Sequence, residues 1–190
     1  MSTNKWIFAV LFVCVSLPVF AAADHYTVDP NHTYPSLEFS HMGLSVWRGK
    51  FNKTSGKITL DRAAHSGSAD IQVDVASVNF GLDKMNEHAL DADWLNVEKY
   101  PTMTYKGVIK FNGDTPVAVD GQLTLRGVTK PLNLKINSFK CIEHPFYKKE
   151  VCGADAEGEL NRADFGMKLY SEGEAGKIRL RIQVEALKDG

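Results

Sequence analysis

The residues of this chain that could do chemistry are its histidines, a few paired acids and its cysteines. Asp29 stands three residues before His32, and His41 follows on the next apolar run. A carboxylate that orients an imidazole makes a general base, so Asp29, His32 and His41 outline a hydrolase or isomerase. The competing reading, which we favour, is a turn histidine and a strand-end histidine satisfied by backbone. No His-Glu-x-x-His pattern and no Gly-x-Ser-x-Gly elbow occurs. Asp164-Phe165-Gly166 matches a kinase triplet, but the Gly-rich loop and the His-Arg-Asp sequence that give it meaning are missing. Arg162 and Asp164 read instead as a turn pair beside a buried Phe165. No enzyme is therefore expected. Cys141 and Cys152 flank the polar loop IEHPFYKKEV. A metal held by both cysteines and His144 is an alternative to a disulfide, though the spacing matches no strong zinc pattern.

Which use the cysteines have depends on compartment. Lys5 precedes the apolar run Trp6–Val15, and Ala21-Ala22-Ala23 follows Pro18. That order is a secretory signal peptide over residues 1–23, too short for a comfortable membrane span. Cys14 lies within the run, leaving Cys141 and Cys152 as an even pair in an oxidising compartment, where a disulfide is expected. The periplasm is the expected location. Residues 24–190 then form one domain, with no later segment apolar enough to insert stably in a membrane. The net charge of −1 gives no basic footprint for nucleic acid. Composition leaves the oligomeric state open.

Alternation dominates those residues. Ala69, Ile71, Val73 and Val75 alternate with polar neighbours, as do Leu132, Leu134 and Ile136, and the last run, Ile178–Leu187. Turn signals separate the runs, at Gly43, Asn52–Gly56, Asn112-Gly113-Asp114 and Arg126-Gly127. Eight or more one-sided strands predict an antiparallel sandwich or barrel. The scarcity of blunted edges favours closure, giving a barrel of about eight strands whose interior is filled by side chains or holds one small ligand. One stretch breaks the alternation. In Asp83–Pro101 the pairs Leu90/Trp94 and Asp91/Leu95 fall at i,i+4, with Asn86 as N-cap and Pro101 as terminator. A short helix from about Glu87 to Leu95 is predicted, closing or flanking one end of the barrel.

Five ordered segments resemble the YceI family of exported lipocalin-like proteins. They are YTVDPNHTYPSLEFSHMG, HALDADWLNVEKYP, GQLTLRGVTKPLNL, LNRADFGM and the terminal strand. The chain departs from the family at the helix start, where Asp is frequent at the position of Asn86 and Leu at that of Ala89. The resemblance implies an antiparallel barrel with an apolar lumen that holds an amphipathic isoprenoid, a polyprenyl or quinone-type lipid, with no metal, no other cofactor and no established catalysis.

Phe39, His41, Trp47, Phe51, Val73, Phe80, His88, Trp94, Tyr105 and Phe111 are the candidate ligand-binding residues. The same alternation serves a packed core, so a ligand-free structural or stress-protective protein is the other reading. The small positions Ala69, Gly107 and Gly121 would leave room in the interior. Export makes the first prediction: N-terminal sequencing of the exported protein starts at or near Asp24, and a mature protein that keeps residues 1–15 overturns the reading.

Overall fold

The alternating runs become strands because each has one apolar face to bury. The computed structural model describes residues 23–190; the signal-peptide reading falls on the residues before these and lies outside the described part. The strands are β1 (Asp24–Val28), β2 (Tyr34–His41), β3 (Ser45–Phe51), β4 (Thr54–Asp61), β5 (Ser66–Asp74), β6 (Val78–Asn79), β7 (Thr102–Asn112), β8 (Thr115–Leu125), β9 (Val128–Glu143), β10 (Glu150–Asn161) and β11 (Lys177–Lys188). All pairings are antiparallel, in the order β1-β4-β5-β7-β8-β9-β10-β11-β2-β3-β6, and β1 also pairs with β11. The sheet is thus a closed ring of eight staves. Three staves are broken strands: β1 with β2, β4 with β3, and β5 with β6.

The breaks have local causes. Between β1 and β2, Asp29 Oδ1 accepts from the Asn31 amide in an Asx turn. Between β5 and β6, Asp74 caps a 3₁₀ turn over Val75–Ser77 by accepting from the Ala76 amide. Inward positions carry the core, among them Tyr26, Leu60, Val73, Met103, Leu123, Leu132 and Leu134. Gly121 is inward because a Cβ there would strike the Tyr105 ring at 2.3 Å. Tyr105 leans across that position and donates from its hydroxyl to the Leu132 and Val119 carbonyls. The room left by Gly121, and by Gly107 beside Val119, is therefore filled by neighbours.

The helix, α1, spans Asp83–Leu90, not Glu87–Leu95. Asn86 is no N-cap: it lies inside the helix, and its Oδ1 reaches back to accept from the Phe80 amide. Leu82 is the N-cap, without a side-chain cap bond. After Leu90 the chain winds on in turns closed by Leu95 N–H to Ala89 O and Val97 N–H to Leu90 O. Asn96 takes a left-handed φ of 51° there. The i,i+4 spacing of Leu90 and Trp94 thus bridges helix and turn.

The opposite end is tied differently. Cys141 and Cys152 are direct partners across β9 and β10 and form a disulfide. The paired sulfurs leave no thiolates for a metal, although Glu150 lies close to both. Arg62 Nη2 bonds Glu150 Oε1 at 2.7 Å and the Tyr26 hydroxyl at 2.9 Å, and Tyr26 also donates to Glu150. Burial and then the Glu150 bond push the Tyr26 phenol up to about 12. Burial works against the Glu150 carboxylate too, but the Tyr26 and Arg62 bonds and the guanidinium charge outweigh it and hold the carboxyl below its ordinary value.

Two predictions follow from this end. Replacing both Cys141 and Cys152 by Ala lowers unfolding free energy by about 3 kcal/mol in the chain-entropy model, read from the urea midpoint; an unchanged midpoint contradicts it. A depressed carboxyl stabilises the fold above its unfolded pKa, and that contribution is lost as pH falls through the folded value. Glu150→Gln should therefore flatten the acid limb of a stability-versus-pH curve. An acid limb of unchanged steepness would show that the cluster is not linked to folding.

Candidate functional site

The barrel's inward faces enclose a cavity of about 290 Å³. That is at the small end of the range of ligand pockets. Its walls come from inward positions on nearly every stave, including Leu37, Ile58, Ile71, Leu123, Leu134, Ala156, Leu160, Leu180 and Ile182. At one end it reaches Tyr26 and Cys152, beside the disulfide. At the other it reaches α1 and the turn after it, through Met85, His88, Ala89, Trp94 and Leu95. The cavity therefore runs along the barrel, and α1 forms part of its end wall.

Of the residues expected to line it, Phe39, Phe51, Val73, Phe80, His88, Trp94 and Tyr105 do. His41, Trp47 and Phe111 do not. The last β11–β2 pair is Arg179–Glu38, so the β2–β3 hairpin runs on past the ring. His41 and Trp47 sit on that overhang, stacked on each other at 4.2 Å, next to the exposed tip residues Met42 and Leu44. Phe111 lies next to the β7–β8 turn, where the register shifts after Lys110, and its ring faces His65. Phe80 fits on β3 because Gly49 has no side chain, its ring filling the space a Cβ would need.

The aromatic and polar groups at the α1 end form one cluster. His88 meets the Trp94 ring edge-on at 5.4 Å. The Trp94 carbonyl accepts from Arg126, at the β8–β9 turn. The Arg162 guanidinium lies over the indole, 4.6 Å from its centroid. Arg162 was missed as a lining residue and is not a turn partner of Asp164. It is only 6% exposed, while Asp164 is at the surface. The signal was available: Ala154, Ala156 and Leu160 line the cavity at alternate positions, and Arg162 continues their parity. Tyr105, whose phenol is pushed up by burial first and the Asp120 charge second, has its hydroxyl committed to backbone carbonyls.

The residues of the enzyme reading are not assembled. Asp29 and His32 do pair, Nδ1 to Oδ2 at 2.7 Å. The His32 side chain is 56% exposed, and the pair braces the β1–β2 break. The Asp29 bond raises the His32 pKa. His41 stands at the far end of β2, roughly 20 Å or more along an extended strand. His32 thus lies in the break before β2 and His41 at the far end of that strand.

Among the described residues no helix is long and apolar enough to cross a membrane. Comparison with known proteins agrees with this architecture. A UPF0312 protein of Shewanella denitrificans is 29% identical over 188 residues, covering 95% of this chain and 96% of that protein. The crystal structure of the Campylobacter jejuni YCEI protein superposes with a TM-score of 0.67 at 26% identity, covering 80% of this chain and 91% of that one. A polyisoprenoid binding domain from Saccharophagus degradans, implicated in plant cell wall breakdown, shares the fold, with a TM-score of 0.61 at 16% identity over 86% of this chain and 98% of that one. The model of the YceI-like domain matches residues 26–186, and the chain belongs to that family.

Proposed function

We propose that this protein is an exported, periplasmic lipid-binding protein that holds the tail of an amphipathic isoprenoid, of polyprenyl or quinone type, in its barrel. The observation that carries the reading is the long cavity, walled by apolar side chains from one end of the ring to the other. Each Å² of tail moved from water into such a wall is favourable by about 25 cal/mol, and a flexible unsaturated chain matches a tunnel better than a compact solute does. The family membership and the binding named for the Saccharophagus neighbour point the same way. A binding role also fits the distance between His32 and His41, which keeps these two from acting together on one bound group.

The test uses wild type, Val73→Glu and Trp94→Ala, purified identically under mild conditions, with co-purifying lipid quantified by mass spectrometry. Val73 is a buried lining residue. A carboxylate there would be unpaired in the lumen, and burying one is strongly unfavourable, so lipid should be absent from Val73→Glu while circular dichroism still reports a barrel. Trp94 is only partly buried. Its loss should cost less than the roughly 3–5 kcal/mol of a fully buried tryptophan, and should mainly speed lipid release. Wild type that carries no lipid, and takes up no added polyprenyl or quinone compound, would reduce the cavity to a packing feature and the protein to a structural one.

A further inference from the structure

The loop that joins β9 to β10, at the disulfide end, holds two aromatic rings out in water. Phe146 is 85% exposed and Tyr147 60%. The loop is nonetheless tightly built. His144 N–H donates to the Lys149 carbonyl at 2.7 Å, and Lys148 N–H donates to the His144 carbonyl at 3.0 Å. The His144 ring accepts at Nδ1 from the amides of Phe146 and Tyr147, both at 3.2 Å, and stacks on the Tyr147 ring at 4.4 Å. β11 pairs with β10 no further than Val151, so residues 144–149 project past the rim of the ring. The Cys141–Cys152 link braces the hairpin two residue pairs behind the Glu143–Glu150 pair that closes it. A fixed turn thus displays apolar surface that burial against a partner would take out of water. The charges around it are one-sided. Lys140, Lys148 and Lys149 are exposed, and among the described residues none of them forms an ion pair. Glu143 shares the hairpin with these three lysines. Of the other acids at this end, Asp24, Glu150 and Asp189 are matched by Lys188, Arg62 and Lys57. At the opposite end, α1 and the turns after it expose Asp83, Glu87, Asp91, Asp93 and Glu98 beside Lys84 and Lys99. The net charge of −1 therefore hides an asymmetry along the barrel.

We infer that the β9–β10 tip is a docking surface for an anionic phospholipid bilayer. Phe146 and Tyr147 enter the head-group region, Lys148 and Lys149 meet the lipid phosphates, and Lys140 adds to the field behind them. Aromatic side chains settle at the membrane–water interface, and lysines close to an anionic leaflet are drawn to it. A protein partner suits the tip less well. A stable protein interface takes about 800 Å² from each side, which one convex turn standing clear of the rim does not offer. Interfacial binding needs only a small apolar area beside basic side chains. The charge asymmetry also sets an orientation, with the disulfide end toward the anionic surface and the acidic α1 end away from it. The inference goes beyond the lipid-binding reading and does not depend on what the lumen holds.

The experiment sediments the full exported protein with vesicles of phosphatidylglycerol and phosphatidylethanolamine in equal parts, and with vesicles of phosphatidylcholine alone. Neither contains an isoprenoid. Wild type should bind the anionic vesicles about tenfold or more tighter than the neutral ones. That binding should weaken as salt rises from about 0.05 M to about 0.5 M, because the Debye length shortens. Phe146→Ser combined with Tyr147→Ser should weaken binding by about tenfold or more. Lys148→Gln combined with Lys149→Gln should weaken it by roughly 20-fold on anionic vesicles and little on neutral ones. These four side chains are exposed, so the urea midpoint should not move. Met42→Ser combined with Leu44→Ser removes two exposed apolar side chains from the β2–β3 tip and should leave binding unchanged. Equal binding to both kinds of vesicle, binding to neither, or a loss confined to the Met42/Leu44 variant overturns the inference. A wild-type dimer that becomes monomeric in the Phe146/Tyr147 variant, with no binding to vesicles, overturns it in favour of a second copy of this chain. All of these outcomes leave the lipid-binding reading standing, since that is read from lipid co-purifying in the lumen. An empty lumen with vesicle binding intact overturns that reading and keeps the docking surface.

Discussion

Closure depends on β11 having two partners along one edge. Its C-terminal residues, Ala186 to Lys188, pair with β1, and its middle, Arg179 to Gln183, pairs with β2. Between them the chain leaves the ladder at Asp29–Thr33, yet the edge is not lost. Asp29 N–H donates to the Glu185 carbonyl, and the Thr33 hydroxyl donates to the same oxygen. Thr33 also accepts from the Glu185 amide, and it is almost fully buried. Without β1 and β2 along it, this side of β11 would be an open, unpaired edge. With them, every stave can turn an apolar face inward, and the lumen follows from the geometry of eight strands.

The two ends of that lumen are built on opposite principles. At the disulfide end, covalent linkage and the Tyr26–Arg62–Glu150 polar cluster hold β9, β10, β1 and the Arg62 turn together. At the α1 end, the wall is a short helix, a run of turns and the 3₁₀ segment that carries Arg162, all joined by backbone and side-chain bonds rather than by ladder pairing. Such segments open at lower free energy than paired strands do. The α1 end is therefore the more readily opened of the two.

Strand positions were legible in the sequence because a half-buried strand must alternate, and these do. The number of staves was legible for the same reason, but the breaks that make eleven strands into eight staves were not, since alternation does not show which segments share an edge. The helix was legible as an exception, but it starts four residues and ends five residues earlier than the spacing predicts. Asn86 has the chemistry of an N-cap, and only the structure shows its side chain spent on the Phe80 amide instead. For the site, parity identified Phe39, Phe51, Val73 and Tyr105 as inward-facing. It failed for His41 and Trp47, which keep the inward parity on an overhang that has no β11 beside it. A pattern of period two says which way a side chain faces, and nothing about where the ring ends.

The glycines separate a lumen from a core more sharply than the large residues do. At Gly107, Gly121 and Gly158 the missing side chain is replaced by a neighbour: Val119, Tyr105 and Leu134 respectively come within 2.3 to 2.7 Å of where a Cβ would sit. These positions therefore create no open space. They let large side chains lie flat along the wall instead of meeting across the axis. A packed core wants the reverse, with large residues reaching inward to interdigitate. Tyr105 illustrates the difference, because its hydroxyl is bound by carbonyls of the wall itself and its ring is held at the side. Laying side chains along the wall keeps the cavity continuous between its two ends. That continuity is what an elongated ligand needs and a compact one does not.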